Sequence, residues 1–360
     1  MLCAAALLAI GGSAFADTTM ALPASVTIYG RIDLALEANS NGSTNRTAIE
    51  NFASRLGFKG EHAFGGDIKG IFQLETGVAP DDGVAQSKSL ASRNSFVGLS
   101  SAAMGSLIVG TNDMPLKSME GTATALWGEG DLQELIIHGK ASRTAIGNAV
   151  FNNVHTRQTN VLLYTSPKFA DVVAKLAYSP DEASKAAAAG VPAYAQPVVG
   201  ASLYWDNGMF NAGYAYQSQD NFQAPTAAIS GYSMTGNKIT FGAKMDAWTA
   251  GVAMSTLDNN NGKKTNNWLV SATYAMGQTT LKASYGASSE SSSGAADDLT
   301  ATAIEADYAL DKDVTLYSYY AQINNSKNAK GSFAAADNFP AVAKAGDNPT
   351  ALGFGIRYNF

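Results

Sequence analysis

The chain has little of what enzyme sites are commonly built from: one cysteine, Cys3, three histidines, and charge on only 15 % of its 360 residues. A lone thiol excludes a disulfide framework and a thiolate metal site. The histidines, His62, His138 and His155, never fall in the His-Glu-x-x-His spacing of a helical zinc site. No Gly-x-Ser-x-Gly elbow and no Gly-x-x-x-x-Gly-Lys-Ser/Thr loop occurs. His155 near Ser142 is the nearest approach to a base beside a nucleophile, and it is too little for a hydrolase. Asp258-Asn259-Asn260-Asn261-Gly262 lacks the spacing and distal Glu of a calcium loop, so it reads as a hairpin tip. No catalysis, cofactor or metal is expected. No window reaches the ~18 consecutive apolar residues of a membrane helix. The formal charge of −6 argues against a nucleic-acid partner, for which a basic patch would be needed.

The first sixteen residues hold an apolar run, Leu2 to Ile10, a Gly-Gly-Ser break, and Ala14-Phe15-Ala16 before Asp17. Small residues three and one positions before a cut, after a short apolar run, are what signal peptidase accepts. Residues 1–16 are therefore expected to be an export signal and 17–360 the mature domain. The usual positive charge at the start is missing.

From Ser25 onward the dominant signal is alternation, the pattern of a strand with two unlike faces. In the first such segment Val26, Ile28, Gly30, Ile32, Leu34 and Leu36 share one face, and Thr27, Tyr29, Arg31, Asp33, Ala35 and Glu37 the other. The end repeats it, with Leu352, Phe354, Ile356, Tyr358 and Phe360 against Gly353, Gly355, Arg357 and Asn359. About sixteen such strands are expected, near 25–38, 51–61, 66–78, 91–101, 105–112, 156–166, 171–179, 195–206, 209–219, 237–245, 248–257, 265–276, 279–288, 299–310, 313–323 and 349–360. Each has roughly the ten residues with which a tilted strand crosses a bilayer.

Connections alternate in length: turns near 63–67, 101–105, 166–171, 205–209, 245–247, 275–278 and 310–313 are short, while 39–50, 79–90, 180–194, 220–236, 289–298 and 324–348 are long and polar. Short turns at one end and long loops at the other mark an outer-membrane barrel. Tyr164, Tyr178, Trp248, Tyr274 and Tyr308 stand on the apolar face near strand ends, as an interfacial girdle requires. A polar face this rich in charge, over so many strands, implies a lumen too wide for side chains to fill. The expected fold is all-β: a 16-stranded antiparallel transmembrane β-barrel with short periplasmic turns and long external loops.

The segments SVTIYGRID at 25–33, SRLGFKGEHAFGGDIKGIFQLETG at 54–77, SRNSFVGLSSAAMGSLIVG at 92–110, RQTNVLLYTSPKFA at 157–170 and the terminal GFGIRYNF together resemble the Gram-negative general porins, in particular the β-proteobacterial type. The resemblance runs from Ser25 to Phe360. It implies a homotrimer in the outer membrane, in contact with lipid and lipopolysaccharide, with the third external loop, about 113–155, folded inward to narrow the pore. It also implies passive diffusion of small hydrophilic solutes and ions.

Arg31, Arg55, Arg93 and Arg157 fall on lumen-facing positions of the expected first, second, fourth and sixth strands, and match the family's basic ladder. Guanidinium groups stay charged at any relevant pH. Facing them, the inserted loop would present carboxylates from Asp113, Glu120, Glu129, Asp131 and Glu134. A transverse field between such walls orients solutes and sets ion preference without tight binding. Glu75, Glu305 and Asp307 also point inward by parity, as do Lys175, Lys244 and Lys282, so the lumen carries both signs. Two departures from the family pattern stand out. Gly110 is followed by Thr111 where family members commonly carry Arg, and Trp127-Gly128-Glu129-Gly130-Asp131 replaces the usual Pro-Glu-Phe-Gly-Gly type of loop sequence.

The terminal Phe360, after alternating Tyr358, Ile356 and Phe354, resembles the signal by which the outer-membrane assembly machinery recognises its clients. Two other functions fit a barrel. A channel specific for a sugar or an organic anion should carry an aromatic slide, for which Tyr317 and Tyr319 are the inward-facing aromatics; a non-conducting adhesin-like barrel should be plugged.

Overall fold

Alternating side chains can satisfy a membrane only if every backbone amide finds a partner within the protein, because hydrocarbon offers none. A computed structural model shows how this chain does so. It describes residues 25–81, 90–122, 126–139, 144–145, 149–150, 156–180, 194–223, 232–258, 264–292, 294–336 and 339–360. The expected export signal, His155 and Ser142 lie outside these residues.

The wall begins with β1 (Ser25–Ser40), β2 (Asn45–Asn51), β3 (Arg55–Gly65), β4 (Ile68–Gly77), β5 (Ser95–Ser101) and β6 (Gly105–Asp113). The long connection after β6 holds a two-residue ladder, β7 (Thr144–Ala145) with β8 (Ala149–Val150). The wall resumes with β9 (Arg157–Thr165), β10 (Val172–Ser179), β11 (Val198–Asp206), β12 (Phe210–Gln223), β13 (Tyr232–Met245) and β14 (Trp248–Asp258). It ends with β15 (Lys264–Met276), β16 (Thr279–Ser288), β17 (Leu299–Ala309), β18 (Val314–Asn325) and β19 (Thr350–Asn359).

Every wall strand pairs antiparallel with its neighbours, and β19 returns to β1, from Arg31 opposite Asn359 to Ser40 opposite Thr350. That closure removes both sheet edges, the one arrangement in which strands span lipid without orphaned amides. β3 pairs the first half of β1 and β2 the second, so the two share one of the sixteen wall positions.

The strand expected at 51–61 is thus broken at Phe52–Ser54, where Ala53 takes a left-handed φ of 56°. The long loop expected at 39–50 shrinks to residues 41–44, because Asn45 to Asn51 continue the ladder against β1. β12 and β13 likewise extend into the expected 220–236 connection. The expected short turns all join neighbouring strands in the observed order.

The two faces are inverted relative to a water-soluble fold. Outward positions carry large exposed apolar side chains, such as Ile28, Val97, Phe241 and Phe354, whose solvent in this family of shapes is lipid. Tyr164, Tyr178, Trp248 and Tyr308 stand exposed on this outer face, and the Trp248 and Tyr274 rings pack 4.5 Å apart next to the β13–β14 turn. Inward positions carry Asp33, Glu37, Glu75, Lys238, Lys282, Glu305 and Arg357, all shielded from bulk solvent.

What shields them is the connection after β6, which enters the barrel. It forms α1 (Pro115–Ser118), a 3-10 turn at Gly128–Gly130 and one turn of π-helix at Gln133–Ile137. Leu126, Leu132, Leu135, Ile136 and Ile137 pack onto small wall residues such as Ala253, Ala301 and Ala303. Wall alanines make room for the loop's leucines and isoleucines, so one side of the lumen is a conventional apolar core. Phe333 and Ala336, from the last external connection, join the same cluster. Gly128 must be glycine: its φ is +59°, and a β-carbon there would drive into the Tyr319 ring.

Candidate functional site

The inserted segment leaves a polar cavity of about 700 Å³ in the lumen. On the wall side the cavity is lined by Arg31 of β1, Arg55 of β3, Arg93 just ahead of β5, Arg157 at the start of β9 and Arg357 of β19. β19, β1, β3, β4 and β5 are successive neighbours, so Arg31, Arg55, Arg93 and Arg357 share one arc. The loop lies on the opposite arc: α1 contacts β10 to β13, the π-helix β14 to β16, and the 3-10 turn β17 and β18. Charged wall and folded loop therefore face each other across the cavity.

Each guanidinium is held in place. Glu75 accepts from Arg93 Nε at 2.6 Å, lies 3.8 Å from Arg55 Nε, and accepts from the Tyr29 hydroxyl at 3.0 Å. Arg31 Nε donates to Asn359 Oδ1 at 3.0 Å and makes no ion pair among the described residues. Arg357 is bound to Asp33 at 2.5 Å, and Asp33 also accepts from the Tyr317 hydroxyl at 2.7 Å. Arg157 pairs with Asp113 at 3.1 Å and donates to Asn94 Oδ1 at 2.8 Å. Lys117 of α1 reaches the same Asp113 oxygen, Oδ1, at 2.8 Å. Burial, with Arg157 nearby, pulls the Lys117 ammonium below its usual range, against the opposing pull of Asp113.

Of the acids expected on the loop, Glu120, Asp131 and Glu134 line the cavity. Asp113 lines it too, but as the partner of Arg157 and Lys117 rather than from the facing side. Glu129 does not face the arginines. It is fully buried, and its two oxygens accept from the backbone amides of Ala335 and Ala336 at 3.0 and 2.8 Å, clasping the loop to the last external connection. A buried carboxylate needs such donors, and these amides would otherwise be orphaned.

The remaining inward charges divide. Glu75 belongs to the cavity, as described. Lys282 bridges Glu305 at 2.8 Å and Asp307 at 2.5 Å outside it, and Glu305 accepts from the Trp127 amide at 2.5 Å. Lys175 donates to Ser118 Oγ at 3.1 Å and so braces α1. Lys244 is exposed beside the β13–β14 turn and does not reach the cavity. Tyr317 and Tyr319 are buried under the loop, bonded to Asp33 and Glu37, so they offer no aromatic slide to a solute.

Three groups that fix the site were not among the expected site residues. Lys238 is buried on the β13 wall and donates to the Met119 carbonyl, with its Nζ 2.9 Å from His138 Nε2. Trp127 lies with Arg357 Cζ 3.7 Å and Lys282 Nζ 4.0 Å from its ring centroid, a cation–π contact from each. Lys117 is the third. Parity alone flags Lys238, but loop residues have no period from which a facing can be read.

With this geometry in hand, comparison with known proteins is decisive. The family model described as Gram-negative porin matches residues 3–328. The chain belongs to the Gram-negative porin family. "Outer membrane porin protein 32" of Delftia acidovorans is 26 % identical over 100 % of this chain and 99 % of that one. "Major outer membrane protein P.IB" of Neisseria gonorrhoeae is 29 % identical over 48 % of this chain and 49 % of that protein, so the match spans about half of each. Among solved structures, the "Anion-selective porin from Comamonas acidovorans" superposes with a TM-score of 0.76 at 21 % identity, covering 94 % of this chain and all of that one. OmpT of Vibrio cholerae in its trimer form gives 0.67 at 15 % identity, covering 94 % of this chain and 99 % of that one. The porin's place is the outer membrane.

Phe360 of this porin continues the pairing at the seam of the wall. The Phe360 carbonyl accepts from the Gly30 amide at 2.9 Å, and its own amide donates back at 3.1 Å. The ring lies over Gly30 with Tyr358 5.7 Å away. A β-carbon on residue 30 would strike both the Phe360 ring and the Arg55 carbonyl, which is why glycine sits at this seam.

Proposed function

We propose that this porin is a passive diffusion channel for small hydrophilic solutes and ions, with a weak preference for anions, and that it works as a homotrimer in outer-membrane lipid and lipopolysaccharide. Delivery by the outer-membrane assembly machinery through the Tyr358–Phe360 terminus belongs to the same reading. The observation that carries it is the segregation of charge across the lumenal cavity. The arc of Arg31, Arg55, Arg93 and Arg357 faces a loop whose Glu120, Asp131 and Glu134 line the same cavity. Diffusion across that field asks for no catalytic group. The preference for anions is supported by Arg31, which makes no ion pair among the described residues, and by Arg55 and Arg93 sharing the single Glu75. The Comamonas porin of similar fold is titled anion-selective.

Reversal potentials under a salt gradient test the assignment. Arg55→Glu and Arg93→Glu should each lower the anion-to-cation permeability ratio by about two- to fivefold at ~0.1 M salt, and by more at lower salt, where the screening length grows. Unchanged reversal potentials would show that these side chains do not line the path. A sugar-specific channel is disfavoured by the burial of Tyr317 and Tyr319, and a plugged adhesin by the cavity of about 700 Å³ beside the described part of the loop.

A further inference from the structure

We propose that the lumen carries a second site on the turn side of the constriction, selective for aromatic monocarboxylates over aliphatic ones. This rests on the diffusion-channel reading and names a solute class that it would favour. Alternation puts Thr27 of β1, Lys59 and Glu61 of β3, Ile71 and Gln73 of β4 and Phe96 of β5 on the inner face, since their neighbours Ile28, Leu74 and Val97 are exposed on the outer one. Those six residues line a separate hollow of about 300 Å³, at the lower end of the range of ligand pockets. Lys59 comes four residues after Arg55 on the way to the β3–β4 turn, so the hollow lies roughly 13 Å along the strand from the arginine arc.

Two features of the hollow point to its occupant. Its floor is apolar, where a wall facing only water and ions has no need to be: Ile71 and Phe96 are half-buried and pack on the lumenal cluster around Ile108 and Leu163. Its rim carries an available cation: Lys59 is exposed, with its ammonium 5.1 Å from the Tyr29 ring centroid, and it makes no ion pair among the described residues. The acid nearby, Glu61, is engaged by Lys69 at 2.8 Å and so is partly offset. A ring that lies against Phe96 and carries one carboxylate toward Lys59 satisfies both. An aliphatic carboxylate such as acetate satisfies only the second, and a solute leaving the site has the arginine arc as its next cation.

The test uses the whole porin in planar bilayers, with sodium benzoate and sodium acetate added to a chloride current. Benzoate should reduce the chloride conductance at a concentration about two- to tenfold lower than acetate, the range expected of an aromatic contact. Lys59→Gln should raise the half-blocking benzoate concentration about two- to fivefold, as for loss of an exposed charge contact. Phe96→Leu, which keeps an apolar floor but removes the ring, should bring benzoate to the level of acetate while the unblocked conductance is kept. Equal action of the two anions on the wild type, beside a normal ohmic chloride current, would overturn this site and leave the diffusion reading standing. So would benzoate block that neither substitution alters. Absence of any chloride current would sink both.

Discussion

Single side chains hold the constriction by fixing partners rather than by charge in the abstract. Glu129 is the clearest case: it would be a pore charge if exposed, but buried against two amides it is a clasp. Glu129→Ala should cost about 1–3 kcal/mol at that contact, the price of leaving buried donors unsatisfied. The expected outcome is greater open-channel noise with an unchanged permeability ratio; a shifted ratio with quiet channels would mean that the carboxylate faces the pore after all. At the turn end, the Ser101 hydroxyl at 2.5 Å and the Ala103 amide at 3.2 Å hold the exposed Asp67 carboxyl below its ordinary range. A folded-state value below the unfolded one, about 3.9 for Asp, contributes stability that is present above that pH and lost as pH falls through the lowered value. Asp67→Asn should therefore unfold at a lower temperature than the wild type near pH ~7. The gap should close by pH ~2, read from the loss of the compact band on heated gels.

At the scale of elements, two devices decide whether the wall closes around a defined pore. The first is the seam, where Phe360 locks onto Gly30 through two backbone hydrogen bonds and a ring contact. Gly30→Val would place side-chain carbons against the Arg55 carbonyl and should stop the barrel from closing, seen as absence of the heat-modifiable folded band; a normal band would show that the seam has slack. The second device is the loop after β6, pinned by Lys238, Lys175 and Glu129 from three directions. How much of this the sequence reveals follows from periodicity. Strands repeat every two residues, so Arg31, Arg55 and Arg357 could be faced inward from letters alone. The loop has no period, so Glu120, Asp131 and Glu134 could not be separated from Glu129. The break at Phe52–Ser54 was equally illegible, because it depends on Ala53 adopting a left-handed backbone that its side chain does not advertise.

At the scale of the molecule, one alternation does two jobs. Each strand turns its apolar side chains to lipid and its polar ones to the lumen, and closure of β19 onto β1 leaves no edge exposed. The lumen is then divided between a packed half, where the loop meets small wall residues, and a half left as a polar cavity, which Arg31, Arg55 and Arg93 line. Single-channel recording of the purified, refolded porin in planar bilayers tests that division most directly. The account predicts stable ohmic steps, with a reversal potential that shifts toward cations when Arg55 or Arg93 is reversed in charge. Silent membranes in the presence of correctly folded protein would contradict it, since the polar half of the lumen would then conduct nothing.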